Sequence, residues 1–541
     1  MHRLSLLLVL VACAGSPPAP QTATGPVHVQ LLALNDFHGN LEPPSGTVHL
    51  PDGTVPAGGG GWLAAHVARL RAEGPDTLVV AAGDLVGASP LASALTHDEP
   101  TISLLDALGL DVSSVGNHEF DEGVDELLRL QRGGCRTDDS GCKAPGFPGA
   151  RFTYLAANVV DRTGKTILPG TALKKVGGAT IGFVGVVLRE TPSVVTPSGV
   201  AGLTFGDEAD AVNAAVPKLR EAGADAIVVL IHQGGAQAPG SPPGECRGFN
   251  GPLVDLAQRF RGVDLIVSGH THQAYVCPDL GGALATSACA FGRFVTRIEL
   301  EVDPVQHRVL SRRATQVPVT HDIPPDPRAE AIVSHAVAAA APVASRRVGR
   351  LAASLSRSPN DAGESSLGDV VADAHLATTR KGGAGVAFTN SGGLRADLPA
   401  GDITYAQAFA AQPFGNTLVT FTLTGAQLLT ALEQQWLGSR PRVLQPSANV
   451  GYAWSASAAP GSKVVPGSLK VDGRVFAPDA RVRVTVNSFL AAGGDGFGVF
   501  AEGTDRVGGP NDLEALVEYL RPTLDGPPLA KPGGGRITQV P

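Results

Sequence analysis

Residues 27–40 read VHVQLLALNDFHGN, an apolar run of strand length that gives way without a spacer to Asn35, Asp36 and His38. A strand covered on both faces shows such a continuous apolar run in place of strict alternation. The same habit recurs along the chain. Thr77–Ala82 runs into Gly83 and Asp84, residues 111–115 into Gly116-Asn117-His118-Glu119, residues 226–231 into His232, and residues 263–267 into Ser268-Gly269-His270-Thr271-His272. Helical stretches over 62–73, 101–108 and 209–222 lie between them. This β-α-β alternation of a largely parallel sheet predicts the α/β class. In open α/β sheets ligands gather outside the carboxyl ends of the strands. All five polar clusters fall there, so they are expected to meet at one sheet edge.

Gly and Pro number 68 and 42 in 541 residues, about a fifth of the chain, which favours a loop-rich fold. At about 150 residues per domain the length corresponds to two to four domains. With 43% apolar and 17% charged residues the composition is globular and excludes a mainly disordered chain. The net charge of −8 gives no basic footprint for nucleic acid. A single Met excludes a thioether metal site.

The first 13 residues, MHRLSLLLVLVAC, place His2 and Arg3 ahead of an apolar run from Leu4 to Ala12. That run is shorter than the roughly 20 residues needed to span a bilayer and reads as an export signal. Leu10-Val11-Ala12-Cys13 resembles the bacterial lipoprotein box, which implies lipid on Cys13 after cleavage. Residues 14–26 are small, Pro-rich and uncharged, a flexible tether. The remainder is expected outside the cytoplasm, held to a bacterial membrane by the lipid alone. Cysteine usage agrees with an oxidising compartment. Cys135 and Cys142 flank a short polar loop and are expected to pair. Cys246 and Cys277 flank the last two polar clusters, where a bridge would brace the loops, and Cys289 is left odd. No CxxC spacing supports a zinc cluster.

A first unit over 27–320 is followed by an acidic, Pro-rich linker with an Ala-rich connecting helix over 328–341, within 321–347. A second unit over 348–541 carries a helix over 367–380 and strands over 385–389, 418–423 and 481–487. Its loops NSGGLR (390–395) and AAGGDGFG (491–498) are rich in Gly.

The five clusters offer two Asp, one Asn and at least four His, a set that suits divalent cations with O and N ligands. A lone Asp after a strand is usually a helix cap, and a lone His is usually a satisfied core or surface residue. Five such events at five strand ends read differently. The ligands exceed the needs of one tetrahedral ion and match two ions sharing a carboxylate. Two ions about 3.5–4 Å apart form the usual clamp for in-line displacement at phosphorus. Mixed His and carboxylate sites accept Zn, Mn, Co or Fe.

The series DFHGN (36–40), GDLVGASP (83–90), GNHEFD (116–121), IHQGG (231–235) and SGHTHQ (268–273) resembles the calcineurin-like metallophosphoesterases. NSGGLRADLPAGDITYAQAFAAQPFGN (390–416) and NSFLAAGGDGF (487–497) resemble the C-terminal domain of 5′-nucleotidases. The resemblance implies a four-layer α/β/β/α metal domain, a linking helix and a separate α/β nucleotide-binding domain. It further implies that Asp36, His38 and His272 hold one metal, that Asn117, His232 and His270 hold the other, and that Asp84 bridges them. His118 would stand beside the scissile phosphate, oriented by Asp121; three residues apart, the two can face each other on one helical turn. Glu119 receives no role.

For the substrate, the resemblance nominates Phe414 and Phe489 as a sandwich for a base, Asn390 and Asp495 as contacts to base or ribose, and Arg395 as a phosphate clamp suited to bidentate oxygen contacts. One departure stands out. Where related enzymes place a further Arg shortly before the segment matching ESSLGD (364–369), Asp361 aligns here and Arg357 is displaced from the position. The expected activity is release of phosphate from extracellular nucleotides. The alternatives are UDP-sugars or 2′,3′-cyclic nucleotides at the same site, a thiosulfohydrolase, or a lipid-anchored binding protein without turnover. The aromatic pair argues for a base.

Overall fold

The computed structural model describes residues 25–50, 53–136, 146–438 and 440–541. The export signal, Cys13 and Cys142 lie outside the described residues.

Among the described residues the first unit contains two six-stranded sheets, the two β layers that the resemblance implies. In the first, β1 (Val27–Leu34), β2 (Thr77–Ala82), β3 (Val112–Ser114) and β4 (Thr153–Leu155) run parallel. In the second, β5 (Thr171–Val176) pairs antiparallel with β6 (Ala179–Val187), which runs parallel to β7 (Ala226–His232) and β8 (Leu265–Ser268). Strand β9 (Ala274–Leu280) pairs antiparallel with β10 (Ala283–Ala288), and β10 runs parallel to β8. The antiparallel strands β11 (Phe294–Asp303) and β12 (Arg308–Pro318) then close the free side of β1.

The two sheets pack face to face. Leu31, Ala33 and Val80 of the first share a core with Phe183, Val228 and Val267 of the second. The alternate residues Leu32 and Leu34 face helices α1 (Gly60–Glu73) and α2 (Glu99–Leu108). On the far side, Val184 and Val229 meet α3 (Glu208–Glu221) and α4 (Pro252–Arg259). Each central strand is therefore apolar on both sides, which is why its sequence runs without alternation. At Gly185 the sheets approach so closely that a Cβ would stand 2.3 Å from that of Leu155. The polar clusters accordingly come from the carboxyl ends of two facing sheets. The expectation of a single sheet edge is corrected, because sequence order does not record which strands pair.

Helix α5 (Pro327–Ala344) is capped by the Asp326 side chain, which accepts from the amides of Arg328 and Ala329. Its small residues Ala329, Val333 and Ala336 dock it onto the core under α1 and α2. The connecting helix thus lies along the first unit.

The second unit has a five-stranded mixed sheet. Its centre is β13 (Val386–Asn390), β14 (Thr417–Thr424) and β16 (Arg481–Asn487), with β15 (Leu444–Pro446) and β17 (Thr504–Asn511) at the edges. Helix α6 (Ser366–Thr379) covers it and packs on Leu513 and Leu516. Cys246 and Cys277 form a disulfide that ties the loop after β7 to β9, as expected. Cys135 is also disulfide-bonded, and Cys289 is a free thiol.

Candidate metal centre and adjoining pocket

Each ligand loop turns sharply at the end of its strand. Asp36, His38, Asp84, His270 and His272 all have left-handed backbones, with φ of 50°, 47°, 50°, 71° and 54°. Such conformations cost on the order of 1 kcal/mol each in a non-glycine residue and persist where the surroundings over-determine them. Here the loops fasten one another. The amides of Asp36 and His38 donate to the carbonyls of Gly83 and Asp84, both at 3.0 Å. The His270 amide donates to the Asp36 carboxylate at 3.0 and 3.1 Å, and the His118 amide to Asp84 Oδ1 at 2.9 Å. Gly116 passes so near that a Cβ would stand 2.2 Å from Asp84 Oδ1.

The side chains converge in two groups. Ligand atoms of Asp36, His38 and His272 lie within 4.8 Å of one another, and so do those of Asp84, His232 and His270; His38, Asp84 and His118 make a third such cluster that straddles the two. Asn117 joins the second group through Oδ1, 3.1 Å from His270 Nδ1. Asp84 Oδ2 stands 3.0 Å from His232 Nε2 and 3.6 Å from His38 Nε2, one from each group.

The donor set fits divalent cations. His38 and His232 donate through Nδ1 to the carbonyls of Gly87 (2.9 Å) and Ala82 (2.7 Å), which fixes the tautomer and leaves each Nε2 lone pair facing inward. His232 Nε2 is buried and, although near Asp84, is not aligned to hydrogen-bond with it. Burial holds His38 and His270 well below the ordinary imidazole range, so both are neutral. For His232 burial acts the same way, but the Asp84 carboxylate outweighs it and raises the imidazole to about 9. A bound cation would displace that proton.

His118 and Asp121 meet as expected, Nδ1 to Oδ2 at 2.7 Å, across the short turn His118–Phe120. Burial pulls His118 down, while Asp121 and Asp84 more than compensate and raise it above its ordinary value. Glu119, which received no role from the sequence, is a buried strut. Its Oε2 accepts from the amides of Asp84 (2.9 Å) and Gly116, and its Oε1 from the amide of Leu85 (2.8 Å). Burial and the Asp84 charge push its carboxyl up to about 7.

A cavity of about 350 Å³ opens from this centre toward the second unit. Asn117, His118, Asp121 and His270 line one wall; Asn390, Arg395, Phe414, Phe489 and Asp495 line the other. The Phe414 ring stacks on His118 with centroids 5.7 Å apart, and the Arg395 guanidinium lies 5.8 Å from the Phe414 centroid. Phe489 rests on Gly494, where a Cβ would come within 2.4 Å of the ring. Asn487 Nδ2 donates to Asn390 Oδ1 (2.9 Å), and Asn390 Nδ2 donates to Asp495 Oδ2 (2.8 Å).

Residues 29–274 match the family model described as calcineurin-like phosphoesterase, and residues 340–502 match that of the 5′-nucleotidase C-terminal domain. The chain belongs to the calcineurin-like phosphoesterases that carry a 5′-nucleotidase C-terminal domain. It is 33% identical over 525 residues to the endonuclease YhcR of Bacillus subtilis, covering 94% of this chain but 41% of that protein. It is 30% identical to the cell wall protein Lmo0130 of Listeria monocytogenes, over 93% of this chain and 68% of that protein. The crystal structure of a 5′-nucleotidase precursor from Thermus thermophilus superposes with a TM-score of 0.79 at 28% identity, covering 95% of this chain and 99% of that one.

Within the phosphoesterase unit Asp36, His38, Asp84, Asn117, His118, Asp121, His232, His270 and His272 all lie at the centre or its cavity. The 5′-nucleotidase C-terminal unit holds two surprises. Asp361 does not line the cavity; it borders a separate cleft formed with residues 537–541. Arg357 is the residue whose charge, after burial, holds Arg395 below its ordinary value. Arg440 and Arg442 also line the cavity. No sequence signal marks them, because a lone Arg-Pro-Arg in a loop is indistinguishable from solvated surface.

Proposed function

We propose that the chain is an exported phosphohydrolase that uses two divalent ions, Zn, Mn, Co or Fe, to release phosphate from nucleotides. The observation that carries this reading is the shared cavity, with the His and Asp groups on one wall and the two Phe rings on the other. Asp36, His38 and His272 would hold one ion and Asn117, His232 and His270 the second, with Asp84 between them. Bound there, the ions would acidify a water and neutralise charge on phosphoryl oxygens. His118, pushed toward its cationic form by Asp121 and Asp84, donates to the scissile phosphate and supplies a proton to the leaving oxygen. Arg395 binds the phosphate, Phe414 and Phe489 hold a base between them, and Asn390 and Asp495 contact the sugar or base edge. Arg357, not Asp361, adds to the cationic field on the phosphate.

A 5′-nucleotidase and an endonuclease among the relatives favour a nucleotide over a sulfur substrate. Export and a lipid on Cys13 complete the reading, with the membrane touched only through the anchor. No described helix is long and apolar enough to cross a membrane. The test is a panel of nucleoside mono-, di- and triphosphates, 2′,3′-cyclic nucleotides and UDP-glucose, with inorganic phosphate and the nucleotide and sugar-phosphate products both detected after Mn²⁺ or Zn²⁺ supplementation. Phosphate from at least one nucleotide, abolished by EDTA, is expected. A blank panel would overturn the assignment and leave a binding protein without turnover.

A further inference from the structure

Beside Arg395, the cavity carries a second centre of positive charge. The charges acting on Arg395 are those of Arg357 and of Asp84, Asp121 and Asp36 at the metal centre. Those acting on Arg440 are Arg442 and Asp495, and the charge of Arg440 in turn reaches His270. Arg442 Nη1 stands 3.4 Å from Asp495 Oδ1, while the other oxygen of that carboxylate is taken by Asn390. Arg440 makes no hydrogen bond or ion pair among the described residues. Asp495 therefore pairs with Arg442 alone, and the charge of Arg440 is left over at the cavity.

The position of that surplus tells what would neutralise it. Asp495 follows Gly494, on which the Phe489 ring rests, so the Arg pair lies at the edge of the ring. On the nucleotide reading above, on which this inference rests, a base at Phe489 and a reactive phosphate at His118 leave the ribose between them, beside Asp495. A guanidinium pair there matches the bidentate geometry of a phosphate oxygen pair.

We propose that Arg440 and Arg442 form an anion subsite for a second phosphoryl group, carried on a ribose hydroxyl of the nucleotide whose 5′-phosphate is cleaved. The substrate class is a nucleoside bisphosphate or the 5′-phosphorylated end of a short oligonucleotide. The reaction is hydrolysis at the 5′ position only. Water adds to the 5′ phosphorus, the P–O5′ bond breaks, the leaving oxygen keeps the electron pair and takes a proton, and inorganic phosphate departs from a ribose that retains its second phosphate.

The test uses the full chain with Mn²⁺ and three substrates: adenosine 5′-monophosphate, adenosine 3′,5′-bisphosphate and the 5′-phosphorylated dinucleotide pApA. In Arg440→Gln/Arg442→Gln the ratio of kcat/KM for a two-phosphate substrate over the monophosphate is expected to fall about tenfold or more. The double Lys variant should recover part of that ratio. Loss confined to the bisphosphate assigns the subsite to free nucleotides, and loss shared by pApA assigns it to chain ends. A second measurement needs no variant: KM for the bisphosphate should rise more steeply with salt than KM for the monophosphate. An unchanged ratio would overturn the subsite while leaving the nucleotide reading intact. Failure to release phosphate from any nucleotide would overturn that reading instead.

Discussion

On the metal wall of the cavity, Asp36, His38, Asp84, Asn117 and His232 are each at most 2% exposed, and neighbouring loops lock most of them into left-handed turns. On the facing wall, Phe414, Phe489 and Arg395 are only half-buried, placed by ring contacts, a glycine shelf and a chain of side-chain amides. The difference follows from what each wall must do. A group that stabilises charge developing in a reaction has to be in place before substrate arrives, so its position is set by many bonds and some strain. A wall that receives and releases a planar ligand needs matching faces and open edges. Substitutions on the first wall should therefore act on metal content and kcat, and those on the second on KM.

The largest effect is expected at Asp84, the one carboxylate facing both ligand groups. With each ion supplying several kcal/mol, Asp84→Ala should cost at least about 10⁴-fold in kcat/KM and empty both sites, as measured by metal analysis of the purified protein. Retention of two ions would remove Asp84 from its bridging position. Next, His118→Ala should lower kcat by about 10³-fold with metal content intact. Loss of metal there would show that His118 is a ligand, a role its place near His38 and Asp84 also permits geometrically.

On the second wall, Phe489→Ala should raise KM about tenfold or more, the contribution expected of base stacking, with kcat nearly unchanged. Phe414→Ala sharpens the contrast, because that ring also stacks on His118 and meets Arg395. It should raise KM and lower kcat together, so steady-state kinetics on the two variants separate a pure binding ring from one that couples the walls.

The apolar strands and their terminal ligands were legible in sequence because each is a local event: a buried strand has no polar face, and a ligand at its end has no other reason to be there. Pairing was not legible. That β1, β2 and β3 lie in one sheet while β7 and β8 lie in another depends on contacts far apart in the chain, as does the β11–β12 hairpin against β1. Glu119 was hidden for a related reason. Its partners are amides, and amides leave no trace in sequence. Since both its oxygens accept from amides, Glu119→Gln would aim an NH₂ group at a donor. It should destabilise the first unit by about 1–3 kcal/mol and weaken metal affinity, read as a lower Tm and a weaker metal titration.

The same contrast between paired and unpaired charge appears in stability against pH. The buried imidazoles of the metal wall have carboxylates beside them, but His375 of the second unit has none, and burial alone drives it down to about 3. Its folded form refuses a proton that the unfolded chain accepts below 6.5, so it stabilises fully above pH 6.5 and loses about 1.4 kcal/mol per pH unit below that. Asp512 acts in the opposite sense. Burial raises it to about 7, so its contribution is complete below the ordinary carboxylate value near 3.8 and is lost as pH rises toward 7. Asp369 of the same unit, which burial also raises to about 7, adds a slope of the same sign, so between pH 6.5 and 4 two carboxyls oppose His375. Asp512→Asn, which keeps an acceptor for the Leu513 amide, should therefore leave Asp369 alone against His375 and, relative to the parent, make the unit lose stability as pH falls. His375→Leu should expose the reverse. Thermal melts of the two variants from pH 7 to 4.5 should diverge, and parallel curves would show that His375 finds a proton partner in the folded state.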